Sequence, residues 1–150
     1  MRHIPLGVTF SLILVLNALS LKTYAGELNQ DSTAVFGDYT VHYSAFNSTF
    51  LLPDIAAAYD LVRAKDQTLL NITVQDKNGK SIDAKLDGYA QNLMQQKKVI
   101  AFKTIKEPHA VYSIGALRIT NEEVFNFVIT ITPENTTPFT LKFTRKLYVE

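Results

Sequence analysis

The chain has 150 residues, with 15 basic and 14 acidic side chains and no cysteine, which excludes disulfides, thiolate catalysis, zinc–thiolate sites and iron–sulfur clusters. This near-neutral balance excludes the bulk electrostatics of a nucleic-acid binder or of a protein held on an anionic membrane. An apolar fraction of 47% is ample for a hydrophobic core and excludes an intrinsically disordered chain.

Residues 1–25 read as an export leader. Arg2 supplies the positive start, the apolar stretch is densest from Phe10 to Leu16, and Thr23 and Ala25 offer small residues at the cleavage site before Gly26. An uncleaved anchor is the alternative, because the region from Ile4 to Leu21 approaches the length of a membrane span. Pro5, Gly7, Thr9, Ser11, Asn17 and Ser20 dilute that region, and no stop-transfer cluster follows. The expected product is one domain over residues 26–150, placed in the periplasm and without stable membrane insertion. Removing Arg2 and Lys22 with the leader leaves 13 basic against 14 acidic residues. Three sequons, at Asn47, Asn71 and Asn135, would matter only on a eukaryotic secretory route.

The segment from Gly26 to Ala34 is polar and aperiodic, which predicts a flexible or loosely docked start. From Asp38 to Ala45 the pattern has period two: Tyr39, Val41, Tyr43 and Ala45 share one face, opposite Asp38, Thr40, His42 and Ser44. That is a half-buried strand. Pro53 and Asp54 then open a run, Ile55 to Val62, whose alanines and helical spacing predict a helix of two or three turns.

Leu70, Ile72 and Val74 lie on one face of the next strand, and Lys77-Asn78-Gly79-Lys80 follows it. Asn-Gly between alternating segments predicts a hairpin with a type I′ turn. Its returning strand places Ile82, Ala84, Leu86 and Ala90 together. Further strands are expected at about Lys97–Ile105, His109–Ile119, Glu123–Thr132 and Phe139–Val149. The penultimate one stacks Phe125, Phe127, Ile129 and Ile131, and the last stacks Phe139, Leu141, Phe143, Leu147 and Val149. About seven short strands with frequent turns predict an antiparallel β-sandwich, loosely immunoglobulin-like, with one short helix after the first strand.

Chemistry is sparse. Asp38, His42 and Ser44 supply the residue types of a hydrolytic triad, but side chains on one strand face stand about 7 Å apart and do not converge. His42 and His109 could join a carboxylate in a metal site, yet no H-x-H, H-E-x-x-H or acidic calcium loop occurs. No nucleophile elbow, phosphate loop or dinucleotide fingerprint occurs either, so no catalytic residue, cofactor or metal is assigned. Tyr39 and Tyr43 could form an amphipathic recognition surface with the loop from Asn47 to Pro53. Lys97-Lys98 and Arg145-Lys146 read as solvated or edge-protecting charges.

The segment from Phe36 to Leu51, then Pro53 to Tyr59, Arg63-Ala-Lys65, the Leu70-to-Val74 strand and the Asn-Gly hairpin together resemble the bacterial family called domain of unknown function 4426. The resemblance spans nearly all of the chain after the leader. It implies a small exported protein of Gram-negative bacteria and carries no assigned activity. The leading expectation is a non-catalytic binding or interaction module with an unidentified protein or small-ligand partner. Its candidate contacts are Tyr39, His42, Tyr43, Asn47 and Phe50. The alternatives are a metal-dependent accessory protein or enzyme using His42, and a structural protein that pairs its last strand with a partner sheet.

Overall fold

The computed structural model describes residues 32–150, so the expected leader, residues 1–25, and the segment 26–31 lie outside the described residues. Among the described residues ten strands form two antiparallel sheets. In chain order they are β1 (Ser32–Phe36), β2 (Tyr39–Asn47), β3 (Gln67–Gln75), β4 (Ser81–Ile82), β5 (Ala84–Asn92), β6 (Lys97–Ile100), β7 (Phe102–Glu107), β8 (Ala110–Arg118), β9 (Glu123–Pro133) and β10 (Phe139–Leu147). One sheet runs β1-β2-β3-β8-β7 with β4 also on β3; the other runs β10-β9-β5-β6. This is the expected β-sandwich, with more strands than the sequence pattern separates.

The core follows from the period-two faces. Phe125, Phe127, Ile129 and Ile131 of β9 are essentially inaccessible, and they meet Val41, Leu70, Ile72 and Val74 of the opposing sheet in one cluster. Phe127 stacks on Phe143 with ring centroids 4.6 Å apart, and Phe143 lies 4.5 Å from Tyr43. That column of rings joins the two layers across β9, β10 and β2.

Several expectations are corrected. Residues 32–34 belong to β1, a strand paired with β2 from Ser32↔Tyr43 to Phe36↔Tyr39. Its five residues include polar Ser32 and Thr33, so its alternation is too brief to stand out from the aperiodic residues before it.

The Asn-Gly turn is not type I′. Only Gly79 has positive φ, the Gly79 N–H donates to the Asp76 carbonyl, and the Asp76 carboxylate accepts from the N–H groups of Asn78 and Lys80. The returning segment pairs with β3 for two residues only, then leaves at Asp83 to become β5 of the other sheet. A second switch splits the segment expected at 97–105: β6 belongs to one sheet and β7 to the other, parted at Ala101. In both places inward parity is kept, by Ile82 and Ala84 and by Ile100 and Phe102, so the hydrophobic alternation runs through unbroken and hides the change of sheet.

The helix is shorter than predicted: α1 covers Pro53–Ala58. It ends at Tyr59 because Asp60 takes positive φ, with Asp60 N–H donating to the Ala57 carbonyl and Leu61 N–H to that of Ala56, a Schellman closure. Residues 48–66 form a strap over the outer face of the β1–β7 sheet. Ser48 pins it by donating to the Ala64 carbonyl and accepting from the Ala64 N–H. Lys103 donates to the Tyr59 carbonyl, and the Tyr59 hydroxyl donates to Glu107. The strap accounts for the burial of Leu69, which points away from the main core yet is 0% exposed.

Candidate functional site

The five sequence-nominated residues do not share one surface. Tyr39 and Tyr43 point inward, as their parity requires. Tyr39 stacks on Phe139 at 5.7 Å and donates to or accepts from the Thr136 hydroxyl, while Tyr43 packs on Phe143. Both join the sheets, and neither is available with His42 as a recognition patch. His42 stands on the opposite, solvent-exposed face. Its Nε2 donates to Gln75 Oε1 at 3.0 Å, and its Nδ1 accepts from the Thr33 hydroxyl at 3.1 Å. That tautomer occupies the ring's lone pair. Among the described residues no three His, Asp or Glu side chains gather as a metal-holding group.

Asn47 is buried and structural. Its Oδ1 accepts from the Thr49 N–H, capping a single 3-10 turn at Ser48–Phe50, and its Nδ2 donates to the Lys65 carbonyl. Phe50 is the one nominated residue left as an exposed apolar side chain, alongside Leu52, Ile55 and Val62 on the strap.

What the geometry does assemble is a cleft of about 360 Å³ where the end of β2 faces the end of β10. Ala45, Phe46 and Asn47 form one wall, Thr144 to Tyr148 the other, and Thr68 and Glu150 complete it. Arg145 is its distinctive group. It occupies an inward position in the run Phe139, Leu141, Phe143, Arg145, Leu147, where a charge is not expected. Its guanidinium lies 5.6 Å from the Phe143 ring centroid and 5.9 Å from that of Tyr43, over aromatic faces that favour a cation. It donates to the Ser32 hydroxyl and to the Thr144 carbonyl. Lys146 turns the other way and pairs with Glu122 at 2.7 Å, which holds the lysine above and the carboxylate below its usual range. Glu150 is anchored by the Thr49 hydroxyl and donates its N–H to the Lys65 carbonyl. The sequence signal for this site is parity, a basic residue standing in an apolar stripe, and reading Arg145 with Lys146 as a solvated pair overlooks it.

A second polar cluster is structural. Glu123 accepts from the Thr120 N–H and hydroxyl and from the Asn92 amide, with Lys98 at 3.9 Å. Burial works to raise its pKa, but those hydrogen bonds and the lysine hold it lowered on balance. A carboxylate lowered in the fold contributes stability at neutral pH, and that contribution is lost as pH falls through its folded value. Thermal unfolding followed from pH 7 to pH 3 is therefore expected to show Glu123→Gln less stable than the parent at neutral pH, with the gap closing in acid.

Among the described residues ten antiparallel strands in two layers, a strap over one face and a cleft at one seam define a cysteine-free β-sandwich protein. The chain belongs to the family described as domain of unknown function (DUF4426), whose model matches residues 33–150. It is similar to a DUF4426 family protein of Pseudomonas aeruginosa PAO1, at 31% identity and a TM-score of 0.75, covering 80% of this chain and 96% of that one. FetP of uropathogenic Escherichia coli strain F11, recombinantly expressed in the periplasm of E. coli, shares the fold at 10% identity and a TM-score of 0.59, over 81% of this chain and 96% of its own. A copper-bound variant of FetP does so at 12% identity and the same TM-score, over 81% and 97%. No curated protein matches the chain. Among the described residues no helix is long and apolar enough to cross a membrane.

Proposed function

We propose that this protein is an exported, non-catalytic binding module of the Gram-negative periplasm, and that its site is the cleft between β2 and β10. The observation that carries the reading is the placement of Arg145, a cation held against two aromatic rings at the wall of a cleft. Keeping a guanidinium at an inward strand position costs solvation, which a binding role accounts for and a purely structural stripe does not. Export is supported by the leader, and by a fold shared with a protein produced in the periplasm.

The test uses the full chain in a Gram-negative host, with in-cell formaldehyde crosslinking and recovery by antibody from the periplasmic fraction. The expected result is a retained partner that is depleted at least severalfold in Arg145→Ala, with equal amounts of folded protein. Retention independent of Arg145 would overturn the site. Recovery from the cytoplasm alone would overturn the export.

A further inference from the structure

β10 sits at the edge of its sheet, paired on one side with β9 throughout Phe139–Leu147. At nine residues it is the longest edge strand in the fold; β1 has five, β6 four and β7 six. Long open edges invite pairing, and proteins usually shorten or cover them. Among the described residues no backbone hydrogen bond joins β10 to any segment other than β9. Across the seam, β1 and β2 touch it through side chains only, by Phe36 on Phe139, Tyr43 on Phe143 and Arg145 on Ser32.

The charge on this edge is one-sided. β10 carries Lys142, Arg145 and Lys146 and no acidic residue. Among the described residues Lys142 and Arg145 have no carboxylate partner in an ion pair, whereas Lys146 has Glu122. Two copies joined through this edge would set basic strand against basic strand, which disfavours self-pairing. An acidic strand meets the opposite condition. The two faces add a pattern: a strand laid beside β10 has alternate side chains next to Thr140, Lys142, Thr144 and Lys146 on the polar outer face, and the others next to Leu141, Phe143, Arg145 and Leu147 on the mainly apolar inner one. The cleft receives the end of such a strand at Arg145.

We infer that β10 is an acceptor edge for an extended peptide segment of a partner protein in which acidic residues alternate with apolar ones. Such a segment adds a fifth strand to the β10-β9-β5-β6 sheet. Main-chain hydrogen bonds supply affinity, and the side-chain pattern, with Lys142 on the face that meets the acidic residues, supplies selectivity. This inference rests on the binding reading above and names the ligand class of that site.

The probe is a nine-residue acetylated peptide of alternating valine and glutamate, added to the purified protein and followed by fluorescence anisotropy and by hydrogen exchange of the β10 amides. Saturable binding with slowed exchange at β10 is expected. It should be lost when alternate peptide nitrogens are methylated, and weakened about tenfold by Lys142→Gln, or by raised salt. The same peptide with lysine for glutamate should not bind, a comparison that leaves the protein unaltered. Binding indifferent to N-methylation would show attraction to charge without strand addition and overturn the inference. So would concentration-dependent association of the protein through β10, which would make a second copy the occupant. No peptide binding, alongside an Arg145-dependent crosslinked partner, would overturn the strand edge and leave the binding module standing; absence of both would overturn the two together.

Discussion

Phe127→Ala is expected to lower the free energy of unfolding by about 4 kcal/mol, in the range for truncating a buried phenylalanine. Phe127 is 1% exposed and stacks at an interplanar angle of 7° on Phe143, which in turn packs on Tyr43. Truncation removes the β9 end of the only ring column joining β9, β10 and β2 among the described residues, and the β-branched same-face neighbour Ile129 is too stiff at χ1 to collapse into the space. A domain of this size has roughly 5–15 kcal/mol in all, so the variant should retain its fold with a much lower urea midpoint and an unchanged m-value. A loss below about 1.5 kcal/mol would mean that the layers close over the gap. The column would then not be what sets the spacing of β10 from β2, on which the cleft depends.

The elements most legible in the sequence are those whose alternation coincides with a single sheet. In β9 the stripe Phe125, Phe127, Ile129, Ile131 is buried as the pattern requires, and β2 puts Tyr39, Val41, Tyr43 and Ala45 inward as expected. Alternation reports which side chains meet the core; it carries no information about which strand lies alongside. That is why Asp83 and Ala101 pass unnoticed as points where the chain leaves one sheet for the other, and why the pattern predicts one smooth hairpin and one smooth strand there. Pairing partners depend on long-range closure, whose cost and reward are spread over the whole domain.

The site shows the same division between local and distant information. His42 and its polar neighbours are visible as a constellation in one strand, but His42 is an exposed side chain bonded to Thr33 and Gln75 while Ser44 is buried. Tyr39 and Tyr43 look like recognition residues because large rings with a polar tip serve both cores and interfaces; Phe139 and Phe143 on β10, distant in sequence, decide in favour of the core. The cleft combines residues from 45 to 150. Only Arg145 marks it locally, through the break it makes in an apolar stripe.

Gly88→Ala tests the other half of the architecture, and a loss of about 2–3 kcal/mol is expected, as for overpacking a filled core. A Cβ at Gly88 would lie 2.4 Å from Ile129 Cδ1 and 2.8 Å from the Val128 carbonyl oxygen. The inward face of β5 is built from small residues where β9 is bulky, with Ala90 opposite Phe127 and Gly88 opposite Ile129. The first clash can be relieved by turning a side chain. The second is with the backbone of β9 itself, so β5 and β9 must separate. Gly115→Ala gives the contrast, because the Cβ there would meet Ile100 Cγ2 at 2.3 Å and the Phe102 ring at 3.1 Å, side-chain atoms in both cases. Gly115→Ala should therefore cost less than Gly88→Ala in the same urea titration, and the reverse order would refute the argument from backbone contact. Because β9 is the sole strand paired with β10 among the described residues, displacing it should also disturb the acceptor edge. Gly88→Ala is accordingly expected to weaken peptide binding under conditions where the variant is fully folded, while Gly115→Ala, in the opposite sheet, leaves that binding near its original strength.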